Sequence, residues 1–169
     1  AWDSRGAFFH IEYDEQLRPT ALHEQAAGEA SRAVERLEYA GTDLAPHNQC
    51  GRLLRHDDPA GTLLFDGYAL GGQLRLQRRR FLELTQAPDW PANPVARDAL
   101  LEPGAGYSSE TRCNPLGDPV LRIDALGNRQ RSILDQAGAL RRSTLQLADS
   151  EQARAVRDAL RYDAMGLVI

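Results

Sequence analysis

His56-Asp57-Asp58 is the densest group of side chains able to do chemistry, since an imidazole beside two carboxylates can transfer protons or ligate a metal. Neighbouring residues of a strand point to opposite faces, so in an extended segment these three do not converge on one atom. Asp58 also opens Asp58-Pro59-Ala60-Gly61, where its carboxylate is required by a turn. Turn chemistry therefore takes precedence over a site. His10, His23 and His47 stand without ligand spacing. Cys50 and Cys113 lack a Cys-x-x-Cys neighbour, which argues against zinc and leaves a disulfide open. Asp14 with Asp58, or Asp124 with Asp135, has the residue types of an acid–base pair. These aspartates fall at equivalent positions of a repeat, however, and a structural role is expected of them. No nucleophile elbow, Walker loop or dinucleotide fingerprint occurs. The sequence offers no catalytic, cofactor-binding or metal-ligating residue, and an enzyme is not expected.

The repeat is the stronger signal. Ile123-Asp124-Ala125-Leu126-Gly127, Leu134-Asp135-Gln136-Ala137-Gly138 and Tyr162-Asp163-Ala164-Met165-Gly166 each place an apolar or aromatic residue before Asp-x-x-Gly. Asp at the first turn position accepts a hydrogen bond from the backbone two residues on, and Gly at the fourth supplies the left-handed conformation that closes a hairpin with a bulge. Trp2-Asp3-Ser4-Arg5-Gly6 is another copy. Tyr13-Asp14-Glu15-Gln16-Leu17 loses the Gly, and Asp58-Pro59-Ala60-Gly61 has Asp57 in the aromatic slot. Cys113-Asn114-Pro115-Leu116-Gly117 exchanges Asp for Asn. The expected structural turn residues are thus Asp3, Gly6, Asp14, Asp58, Gly61, Asn114, Gly117, Asp124, Gly127, Asp135, Gly138, Asp163 and Gly166. Asp3 and Asp14 are eleven residues apart, as are Asp124 and Asp135, an interval that suits one strand and one turn.

The segments between the turns read accordingly. Strands are expected at residues 8–13, 18–24, 51–56, 62–66 and 73–77, with a hairpin tip at 25–31 and a loop at 41–49. Residues 33–39 and 147–161 fit either a helix or alternation; among hairpins, strands are expected, the second after a loop at 148–152. Gly71-Gly72 is a two-residue hairpin signal. Residues 87–106 carry Pro88, Pro91, Pro94 and Pro103 with Trp90, and form an excursion from an otherwise single repeat segment spanning 1–169. Arg78-Arg79-Arg80 is expected on a solvated edge, where charge blunts unwanted strand pairing. The remaining aromatics are expected to pack within strands.

A length of 169 residues suits one domain or part of a larger protein, and 26% charged with 42% hydrophobic residues is ordinary for a folded chain. Every one of the 20 basic residues is Arg, yet the net charge of −4 argues against a general polyanion binder. No apolar run approaches the roughly 18 residues of a membrane span, and no stretch of these residues reads as a cleavable leader. The chain begins inside a repeat phrase and stops at Leu167-Val168-Ile169 as a strand should begin, so it reads as a fragment.

These phrases resemble the YD repeats of Rhs proteins. Residues 48–61 (NQCGRLLRHDDPAG), then Gly71-Gly72, Arg79-Arg80-Phe81 and Ala87-Pro88-Asp89-Trp90, are similar to the N-terminal part of the C component of tripartite bacterial insecticidal toxin complexes. The resemblance implies an all-β fold of antiparallel hairpin repeats, a curved sheet forming part of a larger hollow β-shell. In that family the shell is completed by the B component and encloses a C-terminal toxin domain, which passes later through the A-component channel. The implied partners are the remainder of the parent chain, the B component and the enclosed toxin domain, with no nucleic acid and no membrane span. The implied localisation is secreted, the implied role non-enzymatic, and no cofactor is implied. The cleaving aspartates of the family lie in a core region without counterpart here. A shell of another polymorphic Rhs toxin and a β-repeat adhesion or glycan-binding module are the alternatives.

Overall fold

The computed structural model describes residues 2–4, 6–42, 46–83, 88–163 and 165–168. Arg5 and Ala164 of the repeat phrases, residues 43–45 of the first long loop, Ala87 of the excursion, and the terminal Ala1 and Ile169 lie outside the described residues. The strands are β1 (Phe8–Tyr13), β2 (Pro19–Gln25), β3 (Arg32–Tyr39), β4 (Leu53–Asp58), β5 (Gly61–Tyr68) and β6 (Leu74–Phe81). Then follow β7 (Tyr107–Cys113), β8 (Pro119–Ile123), β9 (Arg129–Leu134), β10 (Leu140–Gln146) and β11 (Ala153–Arg157). They form one 11-stranded sheet in which spatial order equals sequence order. Such an order arises when every strand pairs with the one just made, and the recorded pairs are antiparallel. Both ambiguous segments are strands: β3, with its alternation of Ala33, Glu35 and Leu37 against Val34 and Arg36, and the shorter β11.

The fold is all-β, and it has little interior. Among the described residues the buried apolar side chains are Ala21, Ala33, Ala40, Trp90 and Leu101. A sheet packed against a second layer buries one of its faces along every strand. Here β1 and β11 are exposed along almost their whole length, β7–β10 mix half-buried with exposed positions, and β2–β6 are mostly half-buried with a few buried residues.

Two compact units divide the chain. The first comprises Ala1–Asp66 and Arg78–Tyr107. Within it the proline-rich excursion lies back on the sheet: Trp90, 1% exposed, packs with Ala33 and Leu101 and against Leu82 and Leu100. An isolated bridge joins Leu82 to Leu101, and Glu102 N–H donates to the Phe81 carbonyl at 2.9 Å. The excursion contains one helix, α1 (Pro94–Asp98), started by proline in its first turn and by Asn93, whose side chain accepts from Val95 N–H at 2.8 Å. The second unit comprises Gly67–Gln77 and Ser108–Ile169, hairpins without a comparable excursion.

Three sequence expectations are corrected. Gly71-Gly72 is not a two-residue loop: the reversal runs from Ala69 to Gly72, with Ala69 N–H donating to Gln73 O at 2.8 Å and Gly72 N–H to Ala69 O at 2.9 Å. Gly72 alone of the pair takes positive φ, at 92°, so the corner is an Asp-x-x-Gly turn with Ala in place of Asp. Arg78-Arg79-Arg80 is not a solvated edge but lies in β6, between β5 and β7, half-buried. Each guanidinium has an acceptor: Arg78 meets Asp66 at 3.2 Å, Arg79 grips both oxygens of Asp58 at 2.7 Å, and Arg80 donates to Glu102 O at 3.1 Å. Finally, the turn expected over 57–61 is tighter, because β4 continues through Asp58 and β5 begins at Gly61, leaving Pro59-Ala60 as the loop.

Candidate functional site: acidic corners and a buried ionic clasp

Most of the expected turn residues lie between paired strands, and Asp124, Asp135, Asp163 and Asn114 share one arrangement. At Asp124, Oδ1 accepts from Leu126 N–H at 3.0 Å and from Asn128 N–H at 2.9 Å. Asp124 N–H donates to Asn128 O at 3.1 Å and Gly127 N–H to Asp124 O at 2.9 Å. One carboxylate oxygen thus holds the amides two and four residues on while the backbone closes around it. Asp135, Asp163 and Asn114 repeat this arrangement, with both amide contacts between 2.9 and 3.0 Å in each. Gly117, Gly127, Gly138 and Gly166 all have positive φ, which permits the closing bulge. Asp3 accepts from Ala7 N–H at 2.9 Å, with Gly6 at φ 80°.

Two corners differ. At Asp14 the same amide contacts form, to Gln16 and Arg18 at 2.9 Å, and Arg18 adds its guanidinium at 2.7 Å. The glycine position is Leu17, which is forced to φ 60° with its side chain 81% exposed. Asp58 accepts from Ala60 N–H at 2.8 Å, and Gly61, at φ 137°, is a strand residue. A Cβ there would stand 2.2 Å from Arg80 O, so close approach of a neighbouring backbone requires glycine. The corner charges are stabilised electrostatically. The Arg18 backbone N–H, aided by its guanidinium and by Gln16 N–H, holds the Asp14 carboxyl below its ordinary value against partial desolvation. The Asn128 side chain does so first for Asp124, assisted by the corner amides. At Asp58 burial pushes upward, and Arg79 with Ala60 N–H outweighs it.

The residues that sequence reasoning missed form a second arrangement, on β3, β4, β5 and α1. Asp57, taken from sequence as part of a turn, is 0% exposed. It accepts from Arg55 Nε at 2.8 and 3.1 Å, from Thr62 Oγ1, and from Arg97 Nη1. Arg97, 2% exposed, reaches from α1 and also donates to Glu38. Arg55 donates onward to Asp98 at 2.8 Å and to Thr62 at 3.2 Å. Burial alone would lower the affinity of Arg55 for its proton; Asp57 and Asp98 more than offset this and raise it. Beside this cluster, Arg36 Nε donates to Trp90 O at 2.6 Å, and Ala33 exchanges bonds with Asp89 Oδ1 and Trp90 N–H, both at 2.8 Å. The excursion is clasped to the sheet by charge as well as by Trp90.

The chemistry available to these groups is restricted. Both oxygens of Asp57 are engaged by guanidinium groups and shut off from solvent, so it has no free lone pair facing a substrate. His56 and Asp58, its neighbours, turn instead to Glu35 at 2.9 Å and to Arg79. Among the described residues no group of three or more His, Cys, Asp or Glu is placed to hold a metal. Cys50 and Cys113 are both free thiols.

A chain of this architecture has relatives. It is 31% identical over 155 residues to Toxin subunit YenC2 of Yersinia entomophaga and 30% identical over 161 residues to Toxin subunit YenC1 of the same organism. These alignments take in 88% and 92% of the chain but 16% of either relative. The crystal structure of TcdB2-TccC3 superposes with a TM-score of 0.90 at 30% identity, over 98% of this chain and 8% of that one. The chain belongs with the Rhs/YD-repeat C components of toxin complexes. The Photorhabdus luminescens Tc holotoxin pore matches this Rhs/YD-repeat chain over 99% of its length at a TM-score of 0.91 and 28% identity. No protein-family model matches it. No helix among the described residues is long and apolar enough to cross a membrane.

Three outcomes are expected of this YD-repeat chain. Leu17→Gly relieves a left-handed leucine whose side chain makes little packing, and should stabilise the fold by roughly 0.5–1 kcal/mol in urea denaturation after the added chain entropy of glycine is subtracted. Asp57→Ala strands two buried guanidinium groups and should cost about 3–5 kcal/mol, with protease cleavage appearing first within residues 88–106. The depressed carboxyl of Asp124 contributes stability that is complete above its ordinary value of 3.8 and is lost as pH falls through its folded value. Asp124→Asn, which copies the corner at Asn114, should remove that share of the acid dependence and lower the melting temperature modestly at neutral pH, with little difference from the parent chain in acid.

Proposed function

We propose that the chain is a non-enzymatic wall segment of a secreted toxin-complex C component, part of a hollow β-shell that encloses a C-terminal toxin domain. The observation carrying this reading is the thinness of the sheet. Eleven strands run in sequence order, and among the described residues the buried apolar side chains reduce to three alanines, Trp90 and Leu101. A free-standing globular domain of this length buries a thick core; a wall with space on both sides does not need one. Asp/Gly corners suit such a wall, because each satisfies its own backbone groups locally and needs no covering layer.

The turn residues from Asp3 to Gly166 have a structural role in this reading, and the chain acts as one repeat segment whose excursion is a rivet on the wall. Its partners are the remainder of its parent chain, the B component and the enclosed toxin domain. The superposing crystal structure of TcdB2-TccC3, which joins two toxin subunits, supports the B-component assignment. The test is protease protection of the toxin domain in the parent protein assembled with its B component. Asp57→Ala, which opens the clasp, should make the toxin domain cleavable, while Arg112→Ala on an exposed strand position should leave it protected. A toxin domain equally protected after excision of the whole segment would overturn the proposal.

A further inference from the structure

Charge is distributed unevenly along the strands. Each of β7–β11 carries arginine, and the one carboxylate within them is Glu110, which is taken by Arg112 at 2.8 Å. The other acidic residues of this unit lie outside the strands: Asp124, Asp135 and Asp163 hold corner amides, Asp118 accepts from the Asn114 side chain, Asp158 meets Arg142 at 3.4 Å, and Asp149 and Glu151 lie between β10 and β11. Arg112 and Arg142 have ion-pair partners, while other strand arginines of this unit have none among the described residues.

Register brings some of them into line. Thr111 pairs with Arg122, Arg122 with Gln130, Gln130 with Leu145, and Leu145 with Arg154. Directly paired residues project to the same side, so these five form one row across β7–β11. Arg122 and Arg154 are exposed, and neither makes an ion pair among the described residues. The row is shallowly concave: Thr111, Arg122, Gln130 and Leu145 line one depression beside Glu110 and Asp124, whose carboxylates are engaged by Arg112 and by corner amides, and Leu145, Arg154 and Val156 share the next with Asp149. Leu145 is 36% and Val156 59% exposed, so aliphatic surface alternates with guanidinium, amide and hydroxyl donors.

We propose that this row is a docking surface for an extended acidic segment of another polypeptide. Guanidinium forks recognise carboxylates bidentately, and unpaired arginine interleaved with aliphatic side chains is the composition of a protein-binding surface. Three strand spacings separate Arg122 from Arg154, about 14 Å, which an extended chain covers in about four residues. Carboxylates recurring at that interval meet both forks, while an apolar residue between them covers Leu145. A nucleic acid fits less well, because the row contains no aromatic side chain for base stacking and its aliphatic members have no role against phosphate.

The probe is a fluorescent synthetic peptide with glutamate at about every fourth position among leucine and serine, titrated against the chain by anisotropy. Binding that weakens with salt, and falls about tenfold or more in Arg122→Ala/Arg154→Ala, is the expected result. The control is Arg129→Ala/Arg131→Ala, which removes the same charge from positions that alternate onto the other side of the sheet and should leave the affinity unchanged. Gln130→Glu places a carboxylate in the middle of the row and should weaken binding without removing a side chain, which covers the case in which the double variant is unstable. Equal loss in the Arg129/Arg131 control, no binding of the peptide, or an equally tight and equally row-dependent complex with single-stranded DNA would each overturn the proposal.

Discussion

The constraint on which this molecule depends is that a sheet with almost no covering layer must satisfy every chain reversal by itself. In a two-layered domain an irregular loop can borrow hydrogen bonds and apolar contact from the opposite layer. Here the corner supplies its own: one side-chain oxygen receives the amides two and four residues on, as at Asp124 and Asp135, and the backbone closes the remaining pair. The carboxylate is effective because it is an ionised acceptor for two donors at once, and charge-assisted bonds of this kind are stronger than neutral ones. Asn114 shows that the geometry survives without the charge, since its amide oxygen receives the same two amides.

The departures show which parts of the corner are separable. Ala69 keeps the backbone closure without any side-chain acceptor, and Leu17 keeps the full set of bonds without glycine. Backbone closure is thus common to all of these, while the acceptor and the glycine each add stability. Asp58 goes furthest: its loop shrinks to Pro59-Ala60, and its carboxylate becomes a bidentate partner of Arg79. Next to it in sequence, Asp57 points the other way and becomes the centre of the ionic clasp. Alternation along one strand therefore divides two adjacent aspartates between a half-buried pair and a fully buried cluster.

The clasp and the thin sheet are two answers to the same shortage of apolar burial. Where the excursion lies on β3–β5, Trp90 and a few aliphatic residues provide a small core, and the surrounding contact is made by Arg55, Arg97, Asp57 and Glu38. Buried ion pairs are costly to desolvate, but they are directional, and such a cluster admits one seating of α1 in preference to its neighbours. On β8 and β11, by contrast, Arg122 and Arg154 stand in solvent, and this is where a partner would find them.

How much was legible in the sequence follows from the range of each interaction. The all-β class, the corners and most strand positions rest on contacts between residues no more than four apart, such as Asp135 with Ala139, and the residues involved sit together in the sequence as a phrase. The excursion could be located from its prolines, yet not its destination. Arg97 meets Asp57 across 40 positions and Glu38 across 59, and no local pattern links them. Arg78-Arg79-Arg80 defies a local reading for the same reason: three adjacent charges look solvated until β5 and β7 flank the strand and Asp66 and Asp58 come into reach. Sequence by itself determined where this chain turns, because turning is a matter of a few consecutive dihedrals and the amides beside them. Tertiary structure alone decided which charges are buried, because that depends on which distant segments are brought face to face.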